Sequence, residues 1–397
     1  MKTKQTANTI LYLVTVLLSV LLIYFGNRYV TRGEWFESRR NLDAPVRAEV
    51  VQVVDRKADE YSLDGDNKVE NQEVVFEARI LAGEKRGTLV RANQVTDSFS
   101  SGAAKEVERG DKVLLYAVDS SIYGEAWSFA EYIRTDAMLV LCGVFFLLLL
   151  IFGRRQGFST IVSLTFTALS VFAVFVPSIL AGYNIYVTSL AVALYIIVMT
   201  LAIVSGYNRK SLVAAIGCAS GVLVAGGLGF LMDRIIGLTG VLDESSVYLQ
   251  FVAEGTTIDL RAIIFAGITL GALGAVMDVA MSIASAIYEI RLVSEKPTVR
   301  GLIQSGFTIG RDIMGTMANT LVLAYIGSSL SVVVLMVAYN SSLLALFNKE
   351  MIVVELLQML TGSIGILCTI PLTSIVAALI YLGRRKKHEQ PTDPSGA

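Results

Sequence analysis

The chain has 397 residues, of which 54% are hydrophobic and 17% charged, with a formal net charge of −1 and a mean hydropathy of +0.62. A soluble chain carries about a quarter charged residues, so this balance excludes an ordinary soluble fold, and the neutral charge offers nucleic acid nothing to bind. The one histidine, His388, sits in the polar C-terminal tail, and the three cysteines, Cys142, Cys218 and Cys368, all fall in apolar blocks, which argues against a zinc site, a disulfide framework or a Cys–His nucleophile.

No cofactor is expected. The chemistry available is that of carboxylates, hydroxyls and amides.

The apolar excess is gathered into blocks about 17–29 residues long, enough to cross roughly 30 Å of hydrocarbon at about 1.5 Å per residue. Spans are expected near residues 10–25, 138–152, 158–181, 185–204, 211–232, 262–290, 316–338 and 353–382, about eight helices in all. The first reads as an uncleaved anchor. Its apolar run exceeds most signal cores, and Asn27-Arg28-Tyr29 offers no small-x-small cleavage site.

Residues 27–136 read instead as water-facing protein rich in strands. Val46–Val54 holds many β-branched residues, Glu73–Leu81 alternates, and Gly87–Val90 and Lys112–Val118 look like further strands. Turns are expected at Asp64-Gly65-Asp66-Asn67, Gly83-Glu84-Lys85 and Arg109-Gly110-Asp111. About five or six short strands suggest a small barrel or sandwich. Asp59, Asp64 and Asp66 lack the spacing and closing Glu of a calcium loop, so a solvated acidic turn is expected there.

Basic residues fall in every second connection: Lys2 and Lys4; Arg154 and Arg155; Arg209 and Lys210; Arg291, Lys296, Arg300 and Arg311; then Arg384, Arg385, Lys386 and Lys387. The other connections are neutral or acidic, among them the segment with Asp233, Asp243, Glu244, Glu254 and Asp259. The pattern predicts a multi-pass plasma-membrane protein with both termini cytoplasmic and residues 27–136 outside. The expected domains are an anchor over 1–26, the extracytoplasmic β-rich domain over 27–136, a seven-helix membrane domain over 137–383 and a tail over 384–397.

The sixth span carries the sharpest signal. Running from Arg261 to Arg291, it puts Asp278 near the bilayer midplane, where an ionisable group needs a partner or water. Gly267, Gly271, Gly274, Asp278, Ser282, Ser285 and Glu289 recur at helical spacing on one face, flanked by Met277 and Met281. Asp278 reads either as a protonatable or cation-binding carboxylate, or as a structural acid pinning two helices together. Glu289 is expected to be solvated or paired with Arg291. On the seventh span, Thr316, Asn319 and Thr320 should reach the level of Ser282 and Ser285, with Arg311 and Asp312 as anchor and cap at the helix start.

Other features are softer. The glycines of the fifth span (Gly217, Gly221, Gly226, Gly227, Gly229) suggest close packing, with a glycine-lined pore as the alternative. Pro177 and Pro371 should kink their helices. Residues 233–260 suit an interfacial or re-entrant amphipathic segment. Glu355 is expected to be solvated.

The run GALGAVMDVAMSIASAIYEI (Gly271–Ile290), with GRDIMGTMANTLVLAYIGSSL (Gly310–Leu330) and the Glu131-Tyr132-Ile133-Arg134 stretch, resembles the YibE/YibF family of bacterial membrane proteins. With its outer domain the chain looks like the YibE type, and the paired naming implies a YibF-like partner. Gly274, Asp278 and the ending Glu289-Ile290-Arg291 are also similar to a mid-membrane helix of SecD/SecF-type proton-driven exporters, a likeness that covers two helices and implies proton traffic at Asp278.

The reading is an ion-coupled secondary transporter or export-assisting translocase, with Asp278, Ser282, Ser285, Asn319 and Thr320 lining its path. The alternative is a non-transporting scaffold or sensor acting through the outer domain. An enzyme is not expected, since no HExxH motif, no GxS motif beside a histidine and no aspartate pair on facing helices is present. Expected partners are the lipid bilayer and a YibF-like chain or a second copy, with no nucleic acid; the substrate is left open.

Overall fold

A computed structural model describes residues 2–31, 45–64, 67–97, 105–118, 126–252, 258–339 and 342–382. The side chains of Lys2, Lys4, Asp59 and Asp64, and the whole of Asp66, Glu254 and the tail from residue 383, lie outside the described residues. The chain packs as two units, residues 1–33 with 149–397 and residues 34–148.

The second unit is built on five strands: β1 (Val46–Asp64), β2 (Asn67–Ile80), β3 (Leu89–Asp97), β4 (Lys112–Ala117) and β5 (Trp127–Tyr132). They close into a barrel in the order β1-β2-β3-β5-β4, with β1 antiparallel to both β2 and β4 and β3 parallel to β5. The closed order decides for a barrel over a sandwich, with β1 meeting β4 over Val46–Glu49 and running on beyond it. Val74, Phe76, Ala78 and Ile80 alternate inward along β2 and are buried with Val50, Ala92, Val113 and Leu115.

Two of the expected turns fall where glycine takes positive φ, Gly83 (+86°) and Gly110 (+91°). The third, at Asp64-Gly65-Asp66-Asn67, centres on Gly65 and Asp66, which lie outside the described residues, and Gly87 (+87°), expected to open a strand, stands in a turn instead. Strand bounds are corrected in four places, one of them β2, which starts at Asn67 rather than Glu73. β1 runs on to Asp64 because its charged second half is held by backbone pairing to β2, with bulges after Val50 and Val53 that break its alternation. β3 spans Leu89–Asp97 rather than Gly87–Val90, and β5 carries too little periodicity to be read from sequence. Inside the barrel, Gln94 is 2% exposed. It donates to Lys105 O at 3.1 Å and accepts from Val107 N–H at 2.9 Å, so its amide substitutes for strand pairing.

The helices are α1 (Lys2–Thr31), α2 (Thr135–Ser170), α3 (Val176–Leu180), α4 (Ile185–Val204), α5 (Arg209–Ile236), α6 (Glu244–Val252), α7 (Leu260–Val293), α8 (Val299–Ser328), α9 (Leu330–Tyr339), α10 (Leu343–Phe347) and α11 (Glu350–Leu382). Among the described residues, six helical stretches are long and apolar enough to cross a membrane, or seven if α8 and α9, bent by 63°, form one span. One of the six, Thr135–Leu180, is 46 residues long. Its backbone leaves helical geometry at Arg154 (φ 48°, ψ −123°), in the expected basic connection between 138–152 and 158–181. A π-helical turn, Val171–Phe175, precedes Pro177. α11 continues through Pro371 without interruption.

In the helical unit the outer surface is apolar: Phe152 and Phe172 are 84% and 71% exposed. The core lies where α5, α7, α8 and α11 meet. Two expectations on α8 are corrected. Thr298 caps its start, accepting from Gly301 N–H at 3.1 Å, so Arg311 and Asp312 sit in mid-helix. The extra turns hold because Gly306 and Gly310 pack on Ser374 and Ile370 of α11, which hydropathy does not register. Likewise, the expected span 316–338 is broken around Ser329.

Candidate functional site

α7 has one closed face and one open face. Asp259 caps its start, accepting from the N–H groups of Arg261 at 3.1 Å and Ala262 at 3.2 Å. On the closed face Val276, Val279, Ala280, Ile283, Ala284 and Ile287 are at most 1% exposed. Gly221 of α5 permits this approach: a Cβ there would stand 1.9 Å from Thr369 Oγ1 and 2.8 Å from Val276 Cγ1. Gly217, Gly226 and Gly229 make similar contacts, so these glycines serve close packing. Tyr381 of α11 adds a buried hydrogen bond, donating to Ala284 O at 2.9 Å.

On the open face, Gly267, Gly271, Gly274, Asp278, Ser282 and Glu289 are exposed and Ser285 is partly buried. Near the helix start, Gln358 of α11 and Tyr325 of α8 reach the stripe. Gln358 Nε2 lies 3.3 Å from the place of a Cβ on Gly267, and the Tyr325 hydroxyl 2.3 Å from that on Gly271. Around Gly274 nothing stands within 4 Å of that place. Asp278 follows one turn on, and no hydrogen bond or charged partner among the described residues engages its carboxylate. Further along, Met281 and Ser285 border a cavity of about 720 Å³.

Glu289 pairs with Lys210 of α5 at 2.5 Å rather than with Arg291. The antiparallel α5 brings its first turn beside the last turns of α7, whereas residues two apart on one helix do not face each other.

Asn319 and Thr320 lie on the exposed side of α8, where the Thr320 hydroxyl donates to Thr316 O at 2.8 Å in its own helix. Among the described residues, no hydrogen bond joins either to Asp278, Ser282 or Ser285. The polar residues that do reach the α7 stripe, Tyr325 and Gln358, were not anticipated. Tyr325 stands one helical turn beyond Leu321 in an apolar run, where an aromatic residue reads as packing. Glu355 is not simply solvated, since its Oε2 is enclosed without a hydrogen-bond partner among the described residues.

Long apolar helices with an apolar outer surface, joined in one chain to a five-stranded barrel, define a membrane protein with a small β-barrel domain. The family model described as YibE/F-like protein matches residues 141–383. The chain belongs to that family, and the match runs from within α2 to the end of α11, leaving the barrel outside it. No curated protein and no solved structure matches the chain, so the two-helix likeness to SecD/SecF-type exporters gains no support from those comparisons.

Proposed function

We propose that this chain is a subunit of an ion-coupled secondary transporter or export-assisting translocase of the plasma membrane, with Asp278 as the coupling carboxylate. The observation that carries the reading is the exposure of Asp278 on the open face of a helix whose other face is fully packed. A charged side chain at the centre of a hydrocarbon slab costs about 2.5–3.5 kcal/mol or more. The stripe therefore faces water or another polypeptide rather than lipid. Gly274 and Ser282 leave room beside the carboxylate for either. The alternating basic connections favour both termini inside and the barrel outside. We assign the face a YibF-like chain or a second copy as its neighbour, with Asn319 and Thr320 available on the adjoining exposed side of α8. The role is carriage, not bond-breaking catalysis.

Reconstituted protein, with a pH-sensitive dye inside the liposomes, tests the assignment. Asp278→Asn should abolish ion flux while leaving insertion and thermal stability unchanged, and normal flux in that variant would end the reading. The glycine content of the same stripe also suits plain helix association, as a scaffold would require. Cross-linking through Ser282→Cys separates the two: a scaffold loses assembly in the Asp278→Asn background, whereas a transporter loses flux and keeps it.

A further inference from the structure

The cavity that borders Ser285 and Met281 has a charge balance that the carboxylate reading does not use. It lies between the end of α4, the start of α5 and the second half of α7, and its volume of about 720 Å³ falls in the range of sites for organic solutes, about 300–1,000 Å³. Two cations, Arg209 and Lys210, line it. Lys210 is committed: its ammonium pairs with Glu289 at 2.5 Å and stands 4.7 Å from the centre of the Tyr288 ring. Arg209 is not. Among the described residues no carboxylate pairs with it, although it is partly buried in the cavity wall.

The amides nearby are also occupied. Gln156 donates to Val204 O at 3.1 Å, and Asn208 donates to Ser205 O at 2.6 Å while accepting from Ser211 N–H at 2.9 Å. What remains to meet a ligand is one unpaired guanidinium and the hydroxyls of Ser285 and Tyr288, over a wall that includes Met281. A guanidinium presents its donors in a planar fork that matches two oxygens of a phosphate or carboxylate. Serine and tyrosine hydroxyls can donate to the same oxygens.

We infer that this cavity binds an organic anion, phosphate- or carboxylate-bearing, with Arg209 as the charge that recognises it. Ser285 and Tyr288 add hydroxyl donors, and the Lys210–Glu289 pair holds the wall in place. Binding stands independently of the transport reading; only the further step, that the anion is cargo passing Asp278 two turns away, rests on it. The same chemistry is offered by a soluble phosphate ester and by the headgroup of an anionic lipid.

The test uses the full chain in nanodiscs and reads binding of glycerol 3-phosphate by calorimetry, together with thermal stability in discs of phosphatidylcholine alone or with phosphatidylglycerol. A soluble-anion site binds glycerol 3-phosphate in both lipids. A headgroup site instead shows stabilisation by phosphatidylglycerol that glycerol 3-phosphate does not reverse. In either case Arg209→Gln should weaken the effect about tenfold or more, the loss of one charge-assisted contact, and Arg209→Lys should restore most of it. Binding is read without any ion flux, so anion binding by a wild-type chain that carries no ion would end the coupling reading and leave this one standing. Absence of both effects in the wild-type protein, or an Arg209→Gln variant that binds unchanged, overturns the proposal.

Discussion

The barrel and the helical unit obey opposite surface rules, and the same observation means different things in each. On the barrel an exposed charge is ordinary: Arg47 and Lys112, both about half exposed, bridge Asp136 of the first turn of α2 at 2.9 Å and 3.0 Å, and such pairs contribute little. In the helical unit the outer surface is apolar, so the exposed carboxylate of Asp278 is the anomaly. Burial inverts as well. A buried polar side chain in the barrel, Gln94, is a structural device with both ends of its amide satisfied. Functional residues in a membrane unit are therefore sought among its exposed polar groups, where a soluble domain would have hidden them in a cleft.

That contrast can be broken at its packed extreme. Gly221→Leu places side-chain atoms where Thr369, Val276 and the Gly365 carbonyl already stand, and should cost about 3 kcal/mol or more by overpacking. Loss of a cooperative thermal transition in detergent would show it. Gly274→Leu, on the same face as Asp278 with open space around it, should fold normally and interfere only with association or flux. Equal instability of the two variants would mean that the open face of α7 is not open.

An intermediate effect is expected in the barrel. Gln94→Leu strands the buried Val107 N–H, a loss of about 1–3 kcal/mol for one unsatisfied group, while the Lys105 carbonyl still accepts from the Tyr132 hydroxyl at 2.6 Å. Hydrogen exchange on the intact chain should quicken across residues 105–117 without change in α7.

The smallest effect belongs to a solvent-facing pair. The hydrogen bond from Lys105 to Asp111, at 2.8 Å, raises the lysine above its ordinary value of 10.5. A raised lysine stabilises the folded state fully below the unfolded value and loses that contribution as pH rises through the folded one. The barrel should therefore show no pH dependence from this pair between about pH 7 and 9. Lys105→Met should lower its melting temperature slightly and equally across that window, and a loss that varied within it would point to another titrating group.

Much of the architecture was legible before any coordinates. α4 matches its expected bounds, Ile185–Val204, because a run apolar on every side and closed by Asn184 admits few other conformations. The α7 stripe was legible for the same reason of period. What was not legible came from partners distant in sequence. β5, the interior position of Arg311 in α8, and the pairing of Glu289 with Lys210 each depend on a neighbouring element that no local pattern encodes. Tyr325 and Gln358 could not be placed on the stripe, because helix rotation is set by packing rather than by hydropathy.

By itself the sequence determined that long helices form, that a strand-rich segment separates the first of them from the rest, and that one face of α7 carries small residues with an acid at mid-helix. Transfer of apolar side chains out of water and the period of the helix are local quantities, summed along the chain. Tertiary structure alone decided which way that face turns. The glycines of α5 and the threonines of α11 draw the opposite side of α7 into the core, and close packing on one side leaves Asp278 on the other.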